Sequence, residues 1–376
     1  MTPDTRTAGP PPSTQGFGHL AVSDPEIIAR IRATYATTFF SDRDAEFVKS
    51  PAGQADIDFN AFVRYDQSVR FALPWVDRVC PISGKRVLEI GCGTGSSAAA
   101  FARLASSLHT CDVDHRGFAT ARERFRLLGI DNVTIDPVGA PEFFDVAVRY
   151  APSFDLVLLF AVLEHQTLDE RIETLHRAWD LLAPDGSLVV IETPNRLCYF
   201  DNHTLLEPFY GMLPPDLVLR AGGLSQGTRF QNVMKAILAG PPEERPVALT
   251  RWGRGISYHD IDIAIPRDQY TVVADGYEFE MLNFFPMNYD ERLLQSYFAQ
   301  AKLDVSPAFA RSVLCFILRK DGGKGQAPVR RLSPLVASAA ELKSLHDDLT
   351  SLSTAEVRQR LNNLIQFGTL SNNWAV

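Results

Sequence analysis

The chain has 376 residues, a net charge of −8, 45% hydrophobic residues and 22% charged residues. These are the values of an ordinary globular protein with two or three structural units, and 24 Gly with 24 Pro exclude a collagen-like chain or one disordered throughout. The acidic surplus speaks against nucleic acid as the main partner.

Five cysteines, Cys80, Cys92, Cys111, Cys198 and Cys315, stand at irregular spacings without a CxxC pair. That pattern predicts a reducing, cytoplasmic setting rather than a disulfide framework. The first residues carry no apolar segment of a secretory signal, and no run reaches the ~18 apolar residues of a membrane helix.

Residues 1–20 are rich in Pro, Thr, Ser and Gly and read as a disordered tail. Residues 21–83 read as a helical segment: Ile27, Ile28 and Ile31 recur at helical spacing, as do Phe62, Val69, Leu73 and Val76, with Tyr65 among them. Residues 84–194 alternate short apolar runs with amphipathic helices. Predicted strands cover 86–90, 107–113, 133–135, 154–163 and 187–193, and Leu168, Ile172, Leu175, Trp179 and Leu182 line one helix face. Such alternation implies parallel βαβ units with helices on both faces of a sheet. The rhythm breaks over 195–289, which reads as an insertion. Residues 290–320 close the domain with a helix near 291–302 and strands at 303–305 and 313–319. After a linker, 329–376 form a helical extension: Leu342, Leu345, Leu349 and Leu352 share a face, and Ser353 to Glu356 resembles a capping box.

The strongest chemical signal is Val87-Leu88-Glu89-Ile90-Gly91-Cys92-Gly93-Thr94-Gly95. Glycines after a strand let the backbone turn tightly and approach a ligand, and Asp112, 21 residues after Gly91, suits a carboxylate bonding ribose hydroxyls. The spacing is G-x-G-x-G, with Ser96 where a dinucleotide fingerprint needs its third glycine. Glu89 beside the loop suits a cationic ligand better than a pyrophosphate.

At these residues the chain resembles the class I S-adenosylmethionine-dependent methyltransferases. LEIGCGTG looks like their first motif, CDVD like the end of their second strand, FDLVLLFAVLEH like the fourth-strand segment, and LLAPDGSLVVIETPN like the turn and fifth strand. The resemblance implies a Rossmann-like seven-stranded α/β sheet with helices on both faces, a cap-like insertion after strand five and helical terminal extensions. It implies S-adenosyl-L-methionine as cofactor and S-adenosyl-L-homocysteine as product. Carried over, Glu89, Gly91, Cys92 and Gly93 surround the methionine and ribose, Asp112 bonds the ribose hydroxyls with Asp114 a weaker candidate, and Val113 flanks adenine. Phe160 and Ala161 line the methyl-donor site, and Tyr65 covers the cofactor. Relatives often carry an acid after the third strand near the adenine amine; here the matching stretch is Val138-Gly139-Ala140.

Deprotonation of a hydroxyl acceptor calls for a base near neutral pKa, and Glu164-His165 stands at the end of the fourth strand, where such sheets bind ligands. His165, His203 and His259 are therefore candidate catalytic residues. Arg196, Arg254, His203 and His259 are candidate acceptor-binding residues in an insertion otherwise rich in aromatics. Some ubiquinone-pathway and small-RNA methyltransferases that resemble this stretch carry E-x-x-E-H and hold a divalent ion. Ala161 occupies the first of those positions here, so no metal is expected, although Glu164, His165 and His203 or His259 remain a residual ligand set.

The expected activity is O-methylation of a small molecule or glycan-type metabolite. The alternatives are an RNA methyltransferase, N- or C-methylation, and a non-catalytic cofactor-binding assembly protein. The expected partner is a small-molecule acceptor, not nucleic acid, and the C-terminal helices offer a surface for a homodimer.

Overall fold

The computed structural model describes residues 22–136, 144, 154–201, 203–205, 207–221, 228–285 and 287–320. The expected tail, the C-terminal extension and the stretch 138–140 lie outside them. The chain divides into two compact units, Met1–Pro74 with Ile82–Phe143, and Trp75–Pro81 with Phe144–Val376.

In the first unit, α1 (Pro25–Thr37) starts where local chemistry requires it. The Asp24 side chain accepts from the amides of Glu26 and Ile27, and Pro25 takes the first helical position. Its buried face, Ile31 and Tyr35, packs with Phe40, Ile57, Ala61 and Phe62. Short helices α2 (Ala45–Lys49), α3 (Pro51–Asp58) and α4 (Arg64–Gln67) follow, and α5 (Leu73–Val79) begins at the end of this segment and continues into the second unit. Two π-turns, Phe59–Val63 and Ser68–Ala72, flank α4 and reset the helical phase around Tyr65. Strands β1 (Arg86–Ile90), β2 (Ser107–Cys111) and β3 (Val133–Asp136) pair in parallel, with Glu89 opposite Thr110 and Cys111 opposite Asp136. Between them run α6 (Ser96–Phe101) and α7 (His115–Leu127).

In the second unit, β4 (Phe154–Phe160) pairs in parallel with β5 (Leu182–Pro194). The helix between them, α8 (Leu168–Leu181), opens on a Thr167–Glu170 capping box. Strand β7 (Val313–Lys320) runs antiparallel to β5 and carries β6 (Tyr270–Ala274) on its other side. The sheet order is β3-β2-β1-β4-β5-β7-β6, the seven-stranded α/β architecture expected.

One strand was misplaced by sequence reasoning. Residues 303–305 form no strand, and the sixth strand is 270–274, inside the expected insertion. Tyr-Thr-Val-Val-Ala is a good β sequence, but it is a short edge strand whose ladder partner lies more than 40 residues ahead, so nothing local announces it. The rest of the described insertion carries α9 (Pro215–Ala221), α10 (Thr228–Ala239), α11 (Arg245–Trp252), α12 (Tyr258–Ala264) and the short helix Phe279–Phe284, joined by irregular stretches. It has a core of its own, in which Leu205, Tyr210, Val218, Met234, Ile237 and Leu249 are buried. The closing helix Tyr289–Gln300 is anchored by Glu291, buried and paired with Arg311 at 3.0 Å.

Candidate active site

The glycine loop lies wholly in the first unit. Gly91 and Gly93 adopt φ of 84° and 51°, and Gly95 caps α6 at φ 76°. An L side chain is strained in this region, which is why the turn is built from glycines. The loop is tied to β2 by Asp112, whose Oδ2 accepts from the Gly93 amide at 2.6 Å while Oδ1 accepts from Asp114 at 2.8 Å. Burial pushes the Asp112 pKa up, against the amides that lower it. Asp114 itself caps α7 and pairs with Arg116. Val113 between them is 72% exposed, as a residue flanking a planar ligand would be.

Glu89 is fully buried in β1. One carboxylate oxygen accepts from the Ser97 hydroxyl; the other, Oε2, is buried with no hydrogen-bond partner among the described residues. Burial, with Asp112 adding repulsion, pushes its pKa up to about 8. Cys92 is buried and its thiol is pushed well up, so it is no nucleophile here. Tyr65 is buried, and its hydroxyl accepts from Arg103 at 3.5 Å.

Sequence reasoning missed four residues that shape this loop. Asp136 ends β3 beside Cys111, and its Oδ2 is buried and unpartnered among the described residues. It is an acid at the end of the third strand, two residues before the stretch searched for one. The Tyr35 hydroxyl donates to Thr94 Oγ1 at 3.0 Å, and Arg124, fully buried, donates to the Thr94 and Ala61 carbonyls at 3.0 and 2.7 Å. Gly117 lets the first turn of α7 approach: a Cβ there would stand 2.3 Å from the Gly93 carbonyl oxygen. No motif signals these last three; they act through contacts distant in sequence. Together the loop and its neighbours offer acidic groups, two of them with oxygens left without a partner among the described residues. That donor set fits a ligand with positive charge and hydroxyls.

In the second unit, β4 ends abruptly. Phe160 is its last residue, and Ala161 takes φ 55° while donating to the Ile191 carbonyl at 2.9 Å. A non-glycine residue in this region is a strained turn of the kind concentrated at functional sites. A 3₁₀ turn, Leu163–His165, follows. Glu164 is fully buried: Oε2 accepts from Thr193 Oγ1 at 3.3 Å, and Oε1 has no hydrogen-bond partner. Burial pushes its pKa up, and His165 draws it back.

His165 is oriented by a strap made of the last residues of α11 and those just after it. Its Nδ1 lies 2.9 Å from the Arg251 carbonyl oxygen. A carbonyl only accepts, so Nδ1 carries the hydrogen and Nε2 keeps its lone pair. Nε2 lies 3.8 Å from Glu164 Oε1. Arg251 donates to the His165 carbonyl at 2.8 Å and to Glu170 at 2.6 Å, which ties the strap to the start of α8 and holds the Glu170 carboxyl down at about 2. Arg254 donates its amide to the Glu164 carbonyl at 2.8 Å.

Of the expected histidines, the structure brings His203 to His165, with ring centroids 5.8 Å apart. Ligand atoms of Glu164, His165 and His203 lie within 4.8 Å of one another. His259 is elsewhere, stacked on Tyr258 and 3.2 Å from Ser257 Oγ. The triad fits a divalent cation in its donor chemistry: an orphaned carboxylate oxygen and an imidazole whose tautomer leaves a lone pair free. The sequence-based expectation of no metal rested on Ala161, and that position does not enter this triad. Arg254 is buried with its guanidinium over the Tyr210 ring, donating to the Tyr210 and Leu213 carbonyls, so its donors hold the insertion together. Arg196 leaves β5 with Nε buried and unpartnered.

Residues 88–188 match a family model described as a methyltransferase domain. A ubiquinone biosynthesis O-methyltransferase of Aromatoleum aromaticum is 32% identical over 124 residues, 33% of this chain and 50% of that protein. One of Caulobacter is 31% identical over 136 residues, 36% of this chain and 51% of that protein. The chain thus spans about half the length of these curated relatives. A solved structure, PKMT2 from Rickettsia typhi in complex with AdoHcy, is 16% identical with a TM-score of 0.43, covering 70% of this chain and 55% of that one. Among the described residues no helix is long and apolar enough to cross a membrane.

Proposed function

From the match of residues 88–188 to a methyltransferase domain we propose that this chain is a class I S-adenosylmethionine-dependent methyltransferase that methylates a hydroxyl of a small-molecule acceptor. The observation that carries this reading is the acidic glycine loop inside the matched segment, with Glu89 Oε2 and Asp136 Oδ2 left without partners. When bound, S-adenosylmethionine supplies an electrophilic methyl group on a positively charged sulfur, and S-adenosylhomocysteine is the product.

The chain's own residues do the rest. Glu89 and the backbone carbonyls of Gly91 and Gly93 receive the charged methionine end. Asp112 holds Gly93 and presents its carboxylate to the ribose, Val113 flanks the adenine, and Phe160 with the strained Ala161 lines the donor site. Tyr65 packs behind the loop from α4. At the acceptor, His165 Nε2 takes the hydroxyl proton as the oxygen gains its methyl group. The Arg251 carbonyl fixes the tautomer this requires, and Glu164 stabilises the imidazolium that results. The named ubiquinone relatives, O-methyltransferases by title, support oxygen as the accepting atom.

The Glu164, His165 and His203 triad favours a second reading, in which these side chains hold a divalent cation that would supply Lewis-acid activation of the same hydroxyl. One experiment separates the two. Purified protein is given radiolabelled S-adenosylmethionine and fractionated extract of its source cell, with and without EDTA. Label in a small-molecule fraction that survives EDTA supports the base mechanism. Label lost with EDTA and restored by a divalent metal supports the second reading. Label confined to RNA, or cofactor bound with no transfer to any fraction, overturns the proposed acceptor class.

A further inference from the structure

Buried arginines in the second unit have partners. Arg311 pairs with Glu291, and Arg171 donates to Asp260 Oδ1 at 2.7 Å and to the Leu163 carbonyl at 2.9 Å. Arg254 is engaged by two carbonyls and a ring. Arg196 differs: among the described residues its guanidinium makes no hydrogen bond or ion pair, although its Nε is buried.

Its surroundings do not supply the missing anion. Desolvation by burial lowers its pKa, and three charged groups act on it: Asp260, Arg171 and Arg254. Two of the three are cations. The one carboxylate is already engaged, Oδ1 by Arg171 and Oδ2 by the amide and hydroxyl of Ser257 at 2.9 and 3.0 Å. A guanidinium partly withdrawn from water, with its Nε buried and unpartnered among like charges, is a costly arrangement that an anion would relieve.

The position is also rigid. The Arg196 amide donates to the Ile256 carbonyl and the Ile256 amide to the Pro194 carbonyl, both at 2.9 Å. A Cβ on Gly255 would stand 2.7 Å from the Arg196 nitrogen, so the strap lies flat against the end of β5. The same strap, residues 251–256, orients His165 through the Arg251 carbonyl and holds the Glu164 carbonyl through the Arg254 amide. Arg196 and the histidine are therefore set by one element, at the carboxyl ends of β4 and β5, where open α/β sheets bind ligands.

We propose that Arg196 anchors an anion subsite and that the methyl acceptor carries the carboxylate or phosphate that fills it. The planar guanidinium fork suits either group, held by paired N–H donors. This subsite deepens the methyltransferase reading and rests on it.

The test uses the full chain as wild type, Arg196→Gln and Arg196→Lys. Binding of inorganic phosphate and of benzoate is followed by calorimetry and by Tm against sodium chloride of equal ionic strength, with S-adenosylmethionine affinity measured alongside. The expected result is saturable binding of at least one anion to the wild type, weakened at least ~10-fold in Arg196→Gln and partly retained in Arg196→Lys. The tighter anion identifies the acceptor group as phosphate or carboxylate. In chloride, Arg196→Gln should melt no lower than wild type, because it removes an unpaired, partly buried cation; an arginine with a structural role would lower Tm when removed. If neither anion saturates, or Arg196→Gln binds as wild type does, while the cofactor still binds, the anion subsite alone is overturned. If the cofactor does not bind, the methyltransferase reading falls, and the acceptor assignment with it.

Discussion

The glycine loop and the end of β5 leave buried charge unsatisfied in different ways. Around the glycine loop the acids Glu89 and Asp136 each keep an oxygen without a partner among the described residues, and the buried cation nearby, Arg124, donates to two backbone carbonyls and keeps Nη2 unpartnered. In the second unit buried acids and arginines are matched, Glu291 with Arg311 and Asp260 with Arg171. The groups standing outside that matching, Glu164 and Arg196, flank the strap that orients His165. Under the proposed function, unmatched charge serves a cationic ligand in one unit and acceptor chemistry in the other. Matched charge marks framework.

The sharpest way to break this contrast is at His165. His165→Ala should lower kcat by about 10²–10⁴-fold, the usual contribution of a general base, while S-adenosylmethionine affinity stays within about twofold. A fall in cofactor affinity as large as the fall in kcat would show that the histidine serves the fold or the donor. Next comes the framework claim. Arg311→Met leaves Glu291 buried without its counter-ion and should cost about 3–5 kcal/mol of unfolding free energy, the range for breaking a buried pair by removing one partner. Denaturant unfolding measures it, and a loss below ~1 kcal/mol would remove the pair from the framework.

In the first unit, Asp112→Ala frees the Gly93 amide and removes a charged acceptor. Losing charge-assisted bonds of this kind corresponds to a roughly 10–100-fold weaker cofactor dissociation constant by calorimetry. The gentlest probe is pH. With its pKa raised to about 8, Glu89 is protonated at neutrality in the free protein. A ligand that needs it ionised should bind more tightly as pH rises from 6 towards 8, by up to ~10-fold per unit, and level off above that. The same shift fixes a stability sign. Between the ordinary carboxylate range and pH 8 the folded protein holds a proton that the unfolded chain has lost, so this group's contribution to stability falls as pH rises through that window. Glu89→Gln should abolish the pH dependence of affinity; if the dependence persists in that variant, another group is responsible.

Much was legible before folding. The strand–loop–helix alternation of 84–194, the capped helices, the glycine loop with Glu89 and Asp112, and Glu164-His165 at the end of β4 all follow from local rules: hydrophobic period, turn chemistry and caps act within a few residues. The misplaced sixth strand and the missed Asp136 show where such rules weaken. An edge strand is defined by its partner, and an acid at a strand end differs from any surface acid only through its burial.

Tertiary structure decided what depends on many neighbours at once. His203 stands 38 residues after His165, and only folding brings their rings together while leaving His259 on Tyr258. Arg196 and Arg254 look alike as candidates in the sequence. Packing engages Arg254 against carbonyls and a ring, and leaves Arg196 without a partner among the described residues. Whether a charge is satisfied is a property of the whole shell around it, and that shell is assembled from segments that share no local pattern. The sequence by itself determined which chemistry-bearing residues stand at the loop and strand ends; the tertiary structure decided which of them are left free to act.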